Sequence, residues 1–87
     1  MAYTVLLVTG ALKDYRQLPS DVEPRVAAVL DRLEDSPRPR GTVKIGTNAW
    51  RLRIGEYRLL YEVDDAEKKV TVFRIRHRKE AYRGWKG

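Results

Sequence analysis

A chain of 87 residues, 43% hydrophobic and 34% charged, suits one domain with a single modest core and excludes a disordered polymer. It has no cysteine, so disulfides and thiolate metal sites are excluded, and no apolar run approaches the ~18 residues of a membrane span. The start, Met1 to Val5, does not read as a signal peptide. A cytoplasmic protein without cofactor, metal or membrane contact is the expectation. The net charge of +6 is uneven: residues 1–36 carry four Lys/Arg against six Asp/Glu, and residues 37–87 carry fourteen against six. A basic second half on a small domain points to a polyanionic partner, most often nucleic acid, against the plainer alternative of a solvated basic surface.

In chain order, Tyr3 to Val8 is rich in β-branched and aromatic residues and predicts a strand. Thr9 or Gly10 starts a short helix with Ala11, Leu12, Tyr15 and Leu18 at spacings of three and four, stopped by Pro19. Ser20 and Asp21 are N-cap candidates, and Ser20 with Glu23 has capping-box spacing. Val22, Val26, Val29, Leu30 and Leu33 then form the apolar stripe of an amphipathic helix reaching about Asp35. Residues 36–41, Ser-Pro-Arg-Pro-Arg-Gly, make a breaker-rich loop. Thr42 to Ile45 is a short strand or an extended loop, and Gly46-Thr47-Asn48 is a turn.

Residues 50–61 read as a β-hairpin. Trp50, Leu52 and Ile54 alternate with Arg51 and Arg53, and Tyr57, Leu59 and Tyr61 keep the period of two. Gly55-Glu56 fits a two-residue type II′ turn, whose first central position needs positive φ. That turn sets Ile54 opposite Tyr57, Arg53 opposite Arg58 and Leu52 opposite Leu59. Two arginines face to face on an antiparallel pair repel by some tenths of a kcal/mol up to about 1. A fold has no use for that repulsion, and an anionic ligand relieves it.

Asp64 to Lys69 is a polar turn, Val70 to Arg76 a third strand and His77 to Arg83 a short tail. By parity Phe73 and Ile75 belong to the core, with Arg74, Arg76 and Arg78 opposite. A three-residue loop places Tyr61 beside Phe73 and Arg58 beside Arg76, so that Arg53, Arg58 and Arg76 cross three strands in one row. Leu60, Val70 and Val72 would then share the polar face, and a bulge in the turn would change this register and with it the place of Arg76, which rests on it more than Arg53 and Arg58 do. The order of elements predicts an α+β fold in two layers, an N-terminal strand and two helices on one face of a small antiparallel sheet. Arg51, Arg53 and Arg58 then look at solvent from the other face.

The segment from Trp50 to Asp65, followed by Val72 to Arg83, resembles the RelE/ParE toxin superfamily of bacterial toxin–antitoxin systems. Met1 to Tyr3, Ala11 to Lys13 and Leu33 to Arg38 are similar too. The most specific parts are Tyr57-Arg58 in the basic hairpin and His77-Arg78 ahead of Tyr82. The resemblance implies a compact α+β fold, one toxin domain over residues 1–87, and a cognate antitoxin whose acidic or amphipathic segment wraps the toxin in a hetero-oligomer. Its RelE branch cleaves mRNA in the ribosomal A site without a metal. By motif position Arg51 and Arg53 fall on two active-site lysines of that branch, Arg58 on a phosphate-binding arginine, Arg78 on a second arginine and Tyr82 on a tyrosine that meets the substrate base.

Attack of a 2′-hydroxyl on the adjacent phosphate needs a base, cations for the phosphorane charge and an acid for the leaving 5′-oxygen. Arginine, with a pKa above about 12, is not a practical base. His77, the single histidine, is of the residue type suited to proton transfer near neutral pH, and Glu56 and Glu80 are other candidates. The expected catalytic set is Arg58, Arg78, Arg53, Tyr82 and His77, with Arg51, Arg53, Arg76 and Lys79 binding RNA phosphate. The competing readings are a ParE-like toxin that inhibits DNA gyrase without nuclease chemistry, and a family member that only binds its antitoxin. Trp50, Tyr57 and Tyr61 are read mainly as core, Glu62, Asp64, Asp65 and Glu67 as a solvated turn, and Arg38 and Arg40 as either RNA contacts or a free loop.

Overall fold

The structure is a computed structural model that describes residues 2–81. Strand β1 (Thr4–Leu7) leads into helix α1 (Thr9–Arg16) and helix α2 (Glu23–Leu33). Strands β2 (Val43–Lys44), β3 (Ala49–Ile54), β4 (Tyr57–Asp64) and β5 (Lys69–His77) follow, and a one-turn helix α3 (Arg78–Ala81) ends the described chain. The five strands form one sheet in the order β1-β5-β4-β3-β2. Both long helices pack on one face, as expected of the α+β two-layer fold. The sheet is mixed rather than wholly antiparallel, because β1 returns beside β5 in parallel, Thr4 against Lys69 through Leu7 against Val72. Two helices between β1 and the meander supply the long crossover that a parallel pair requires.

The core lies between helices and sheet. Ala11, Val26 and Leu33 from the helices meet Leu52, Ile54, Leu59, Tyr61, Val63, Val70, Val72 and Ile75 from the strands. The periodicity of α2 explains its docking: Val26 and Leu33, seven residues apart, are fully buried, with Val22, Val29 and Leu30 half-buried beside them. The capping box does not form. The N-cap is Val22, Pro24 occupies the first turn, and Glu23 instead accepts the hydroxyl of Tyr15. Pro24 explains the boundary, since its missing N–H is harmless only there.

The β3–β4 hairpin has the predicted register, with Ile54 opposite Tyr57, Arg53 opposite Arg58 and Leu52 opposite Leu59. Gly55 has φ +60°, as the first central residue of a type II′ turn demands. Against β5, Arg58 faces Arg76 and Leu59 faces Ile75, but Tyr61 faces Val72 instead of Phe73. A bulge at Phe73 absorbs the extra residue, between the pairs Leu60–Arg74 and Tyr61–Val72. It resolves the parity conflict on β5 but not that of Leu60, which stays on the helix-free face: Val70 and Val72 turn inward and are fully buried, while Phe73 is left half-buried outside the core cluster. The expectation of Phe73 in the core is thereby corrected, and that of Ile75 stands.

Asp65 is more than a solvated turn residue. Its Oδ1 accepts from Tyr3 Oη at 2.6 Å and from Arg38 Nη2 at 3.0 Å. The Tyr3 hydroxyl, followed by the Arg38 guanidinium, holds its carboxyl below the ordinary range. Arg38 also lies 5.6 Å from the centroid of the half-buried Trp50 ring, as does Lys44 Nζ. Arg38 is therefore not on a free loop. The Tyr61 hydroxyl, within a fully buried side chain, donates to Pro37 O at 2.7 Å and ties the same loop to the core.

Candidate nucleic-acid interface

Strand alternation sets the content of the helix-free face. On β3 it presents Arg51 and Arg53, on β4 Arg58 and Leu60, and on β5 Arg74 and Arg76. The ladders place Arg53, Arg58 and Arg76 side by side across three strands, and Arg51, Leu60 and Arg74 in the next rank. Neighbouring strands are about 4.8 Å apart, so each row is roughly as wide as two strand spacings.

Arg58 was expected to look at solvent, and it does not: only 8% of it is exposed, and Leu60 beside it is 4% exposed. β4 is the central strand of the sheet, so the flanking arginines enclose its side chains on this face as the helices do on the other. Arg58 Nη1 donates to Tyr57 O at 3.3 Å and to Gly55 O at 3.5 Å, while Arg53 Nε donates to Gly55 O at 3.3 Å. Carbonyl acceptors orient both guanidiniums and neutralise neither. The positive charge of these two guanidiniums is therefore held in place by neutral acceptors.

Arg78 sits at the end of this row. Its backbone amide donates to Glu56 O at 2.6 Å, and its Nε lies 2.8 Å from Glu56 Oε1. The carboxylate thus fixes Arg78 against the hairpin turn. Both side chains are more than half exposed, so the pair positions rather than stabilises. Arg74 is engaged elsewhere: its Nε is 3.3 Å from Asp14 Oδ2, which also accepts the Ile75 amide at 3.0 Å. Asp14 thereby caps the edge of β5 past the end of β1.

Among the expected site residues, the fold brings together Arg51, Arg53, Arg58 and Arg76 on one face, with Arg78 at the adjoining turn. Strand parity turns His77 away from Arg51, Arg53 and Arg58, while it lines one recess with Arg76. His77 pairs with Tyr57 and shares the helix side of the sheet with Ile75. It stands edge-on to the Tyr57 ring at 5.4 Å, and its Nδ1 accepts the Lys79 amide at 3.3 Å. There it borders a recess of 130 Å³ with Asp14, Gln17 and Leu18. Lys79 is exposed on α3. Tyr82 lies outside the described residues.

One cation at the turn had no signal in the sequence. Arg25 projects from an exposed position of α2, and its guanidinium lies across Gly55. A Cβ built on that glycine would come 3.0 Å from Nη1, 3.1 Å from Nη2 and 3.3 Å from Cζ. Helical periodicity marks Arg25 only as outward-facing, which does not reveal that it meets the hairpin tip.

A cleft of 430 Å³ lies at the other end of the sheet, where Asn48, Glu62, Asp64, Asp65, Lys69 and Thr71 line it. Its acidic rim is the wrong electrostatic match for a polyanion.

The family described as ParE toxin of type II toxin-antitoxin system, parDE, matches residues 5–82. Toxin RelG of Mycobacterium tuberculosis is 32% identical, over 95% of this chain and 99% of that protein. The RelE–RelB complex from the archaeon Pyrococcus horikoshii gives a TM-score of 0.80 at 26% identity, covering 93% of this chain and all of the matched one. The toxin-antitoxin complex RelBE2 from Mycobacterium tuberculosis gives 0.77 at 30% identity, covering 88% and 99%. The isolated E. coli RelE toxin also gives 0.77, at 26% identity and coverage of 87% and 84%. With the fold, the arginine face and these likenesses in agreement, the chain belongs to the RelE/ParE superfamily of type II toxin–antitoxin toxins.

Proposed function

We propose that this toxin is an endoribonuclease that cleaves mRNA on the ribosome by metal-independent attack of a 2′-hydroxyl on the adjacent phosphate. The observation that carries the reading is the row Arg53–Arg58–Arg76, whose central guanidinium is buried, oriented by carbonyls and flanked by like charge. In the reaction the O2′–P bond forms, the P–O5′ bond breaks, and the phosphorane gathers negative charge that Arg58 stabilises with Arg53 and Arg76. Arg51 and Lys79 bind flanking phosphates, and Arg78, held by Glu56, grips the scissile one. A base must take the 2′ proton. His77 faces the other side of the sheet, so Glu56, the carboxylate on the turn itself, is the better-placed described group. Tyr82, placed at the site by resemblance to a tyrosine that meets the substrate base, carries a phenol that is the proposed acid for the 5′-oxygen.

The relatives RelE and RelBE2 are seen in complexes with antitoxins. We extend this to a cognate antitoxin here, an acidic amphipathic segment that folds onto the basic face in a cytoplasmic hetero-oligomer. A second reading, a toxin that inhibits DNA gyrase, draws on the match to the ParE family and on arginines where a proton-accepting lysine is needed. Purified toxin added to ribosomes programmed with a defined mRNA separates the two. Cleavage within the A-site codon is expected. Intact mRNA, with loss of gyrase supercoiling activity in a parallel assay, overturns the nuclease reading.

A further inference from the structure

We propose that the phosphate-binding surface continues over the β3–β4 turn onto Arg25 of α2, which contacts the backbone of a single-stranded RNA lying along the arginine row. This rests on the RNA-binding reading above and extends its footprint to a helix that the strand pattern does not implicate.

Three guanidiniums converge on one glycine. Arg53 and Arg58 donate to the Gly55 carbonyl from the sheet, and Arg25 lies against the site its Cβ would occupy. The carboxylate of this turn, Glu56, is taken up by Arg78. Among the described residues Arg25 has no carboxylate partner, and its side chain is exposed. The turn therefore carries Arg25, Arg53, Arg58 and Arg78 against one glutamate. A structural role explains this poorly. An exposed guanidinium without a counter-ion adds little to stability, and placing it beside two more cations is unfavourable. A polyanion whose backbone crosses the turn relieves that repulsion and uses every guanidinium. Gly55 is needed here for its φ of +60°, and a Cβ there would push the Arg25 guanidinium back by a few tenths of an ångström.

The test uses the full toxin and a fluorescein-labelled 20-nucleotide 2′-O-methyl RNA, which cannot be cleaved because its nucleophile is blocked. Anisotropy titrations across KCl concentrations give the affinity and its salt slope. Each phosphate contact on a single strand contributes about 0.7 to that slope. Arg25→Ala is expected to lower affinity ~3–10-fold at low salt and the slope by about 0.7, and Arg25→Lys to restore the slope. The control is Arg32→Ala, on the same helix about 10 Å along its axis, which removes equal charge and is expected to leave the slope unchanged. The proposal is overturned by equal slopes for wild type and Arg25→Ala. It is equally overturned by equal losses in the two alanine variants, or by a toxin that cuts ribosomal mRNA yet shows no salt-dependent binding. Failure of the wild type to cut mRNA on ribosomes counts instead against the nuclease reading, and leaves a measured Arg25 contact standing.

Discussion

Arg53 and Arg58 stand opposite each other on adjacent strands and donate to the same acceptor, the Gly55 carbonyl, at 3.3 and 3.5 Å. The hairpin turn thus holds two like charges together through a single backbone oxygen. Replacing the buried one separates function from stability. Arg58→Leu is expected to stabilise the fold by about 0.5–1.5 kcal/mol, because it removes a desolvated cation next to Leu60. Ribosomal mRNA cleavage by the same variant should fall at least ~100-fold. Urea unfolding and the programmed-ribosome assay check the two halves.

Gly55→Ala is expected to cost about 1–2 kcal/mol in urea unfolding. A Cβ at φ +60° is strained, and it would meet the Arg25 guanidinium. An unchanged midpoint would contradict the turn geometry.

Glu56→Ala probes positioning at an exposed ion pair. Stability should change by less than about 0.5 kcal/mol. Cleavage should drop well beyond that, because Arg78 loses its anchor and the turn loses its carboxylate. If Glu56 is also the base, Glu56→Gln shows a comparable loss and flattens the acid limb of the pH–rate profile.

His77→Gln should retain cleavage within about 3-fold of wild type, since its ring lies on the helix side of the sheet, away from Arg58. A loss of two orders of magnitude with the fold intact would return His77 to the catalytic set.

Burial raises the Tyr61 hydroxyl above its ordinary value of 10.0, and the hydrogen bond with Thr42 and the charge of Arg38 offset this only in part. Because the folded value is the higher one, stability is fully present below pH ~10 and falls as pH rises through the folded value. Tyr61→Phe should reduce this alkaline dependence, the Tyr3 and Tyr15 hydroxyls, raised by their bonds to Asp65 and Glu23, supplying the remainder. It should also cost about 1–2 kcal/mol at neutral pH by leaving Pro37 O without its donor. Urea midpoints between pH 7 and 11 test both.

The hairpin was legible in sequence because its signals are local: alternation along two strands and a glycine where the turn needs positive φ. From that register the opposition of Arg53 and Arg58 followed directly. What was not legible depends on neighbours far along the chain. The parallel return of β1 beside β5 leaves no trace in a four-residue strand. Burial of Arg58 follows from β4 being central, a property of the whole sheet. The contact of Arg25 with Gly55 depends on how α2 docks, which its apolar stripe sets only after the sheet exists. The conflict of Val70 and Val72 with the polar face pointed to a bulge in the turn, whereas the ladder puts it inside β5 at Phe73.

That bulge makes the length of β5 as consequential as its composition. Val70 and Val72 before it and Ile75 after it all reach the core, while Arg74 and Arg76 reach the opposite face, because one extra residue shifts the strand's phase midway. Deleting Phe73 would close the ladder with every pair kept, Arg74 and Arg76 still outward and Ile75 still inward, because Val72, Arg74 and Ile75 already alternate across it. A single-codon deletion there would therefore spare the basic face and the end of the core, whereas forcing Phe73 itself into the ladder would turn Arg74 and Arg76 inward and Ile75 outward.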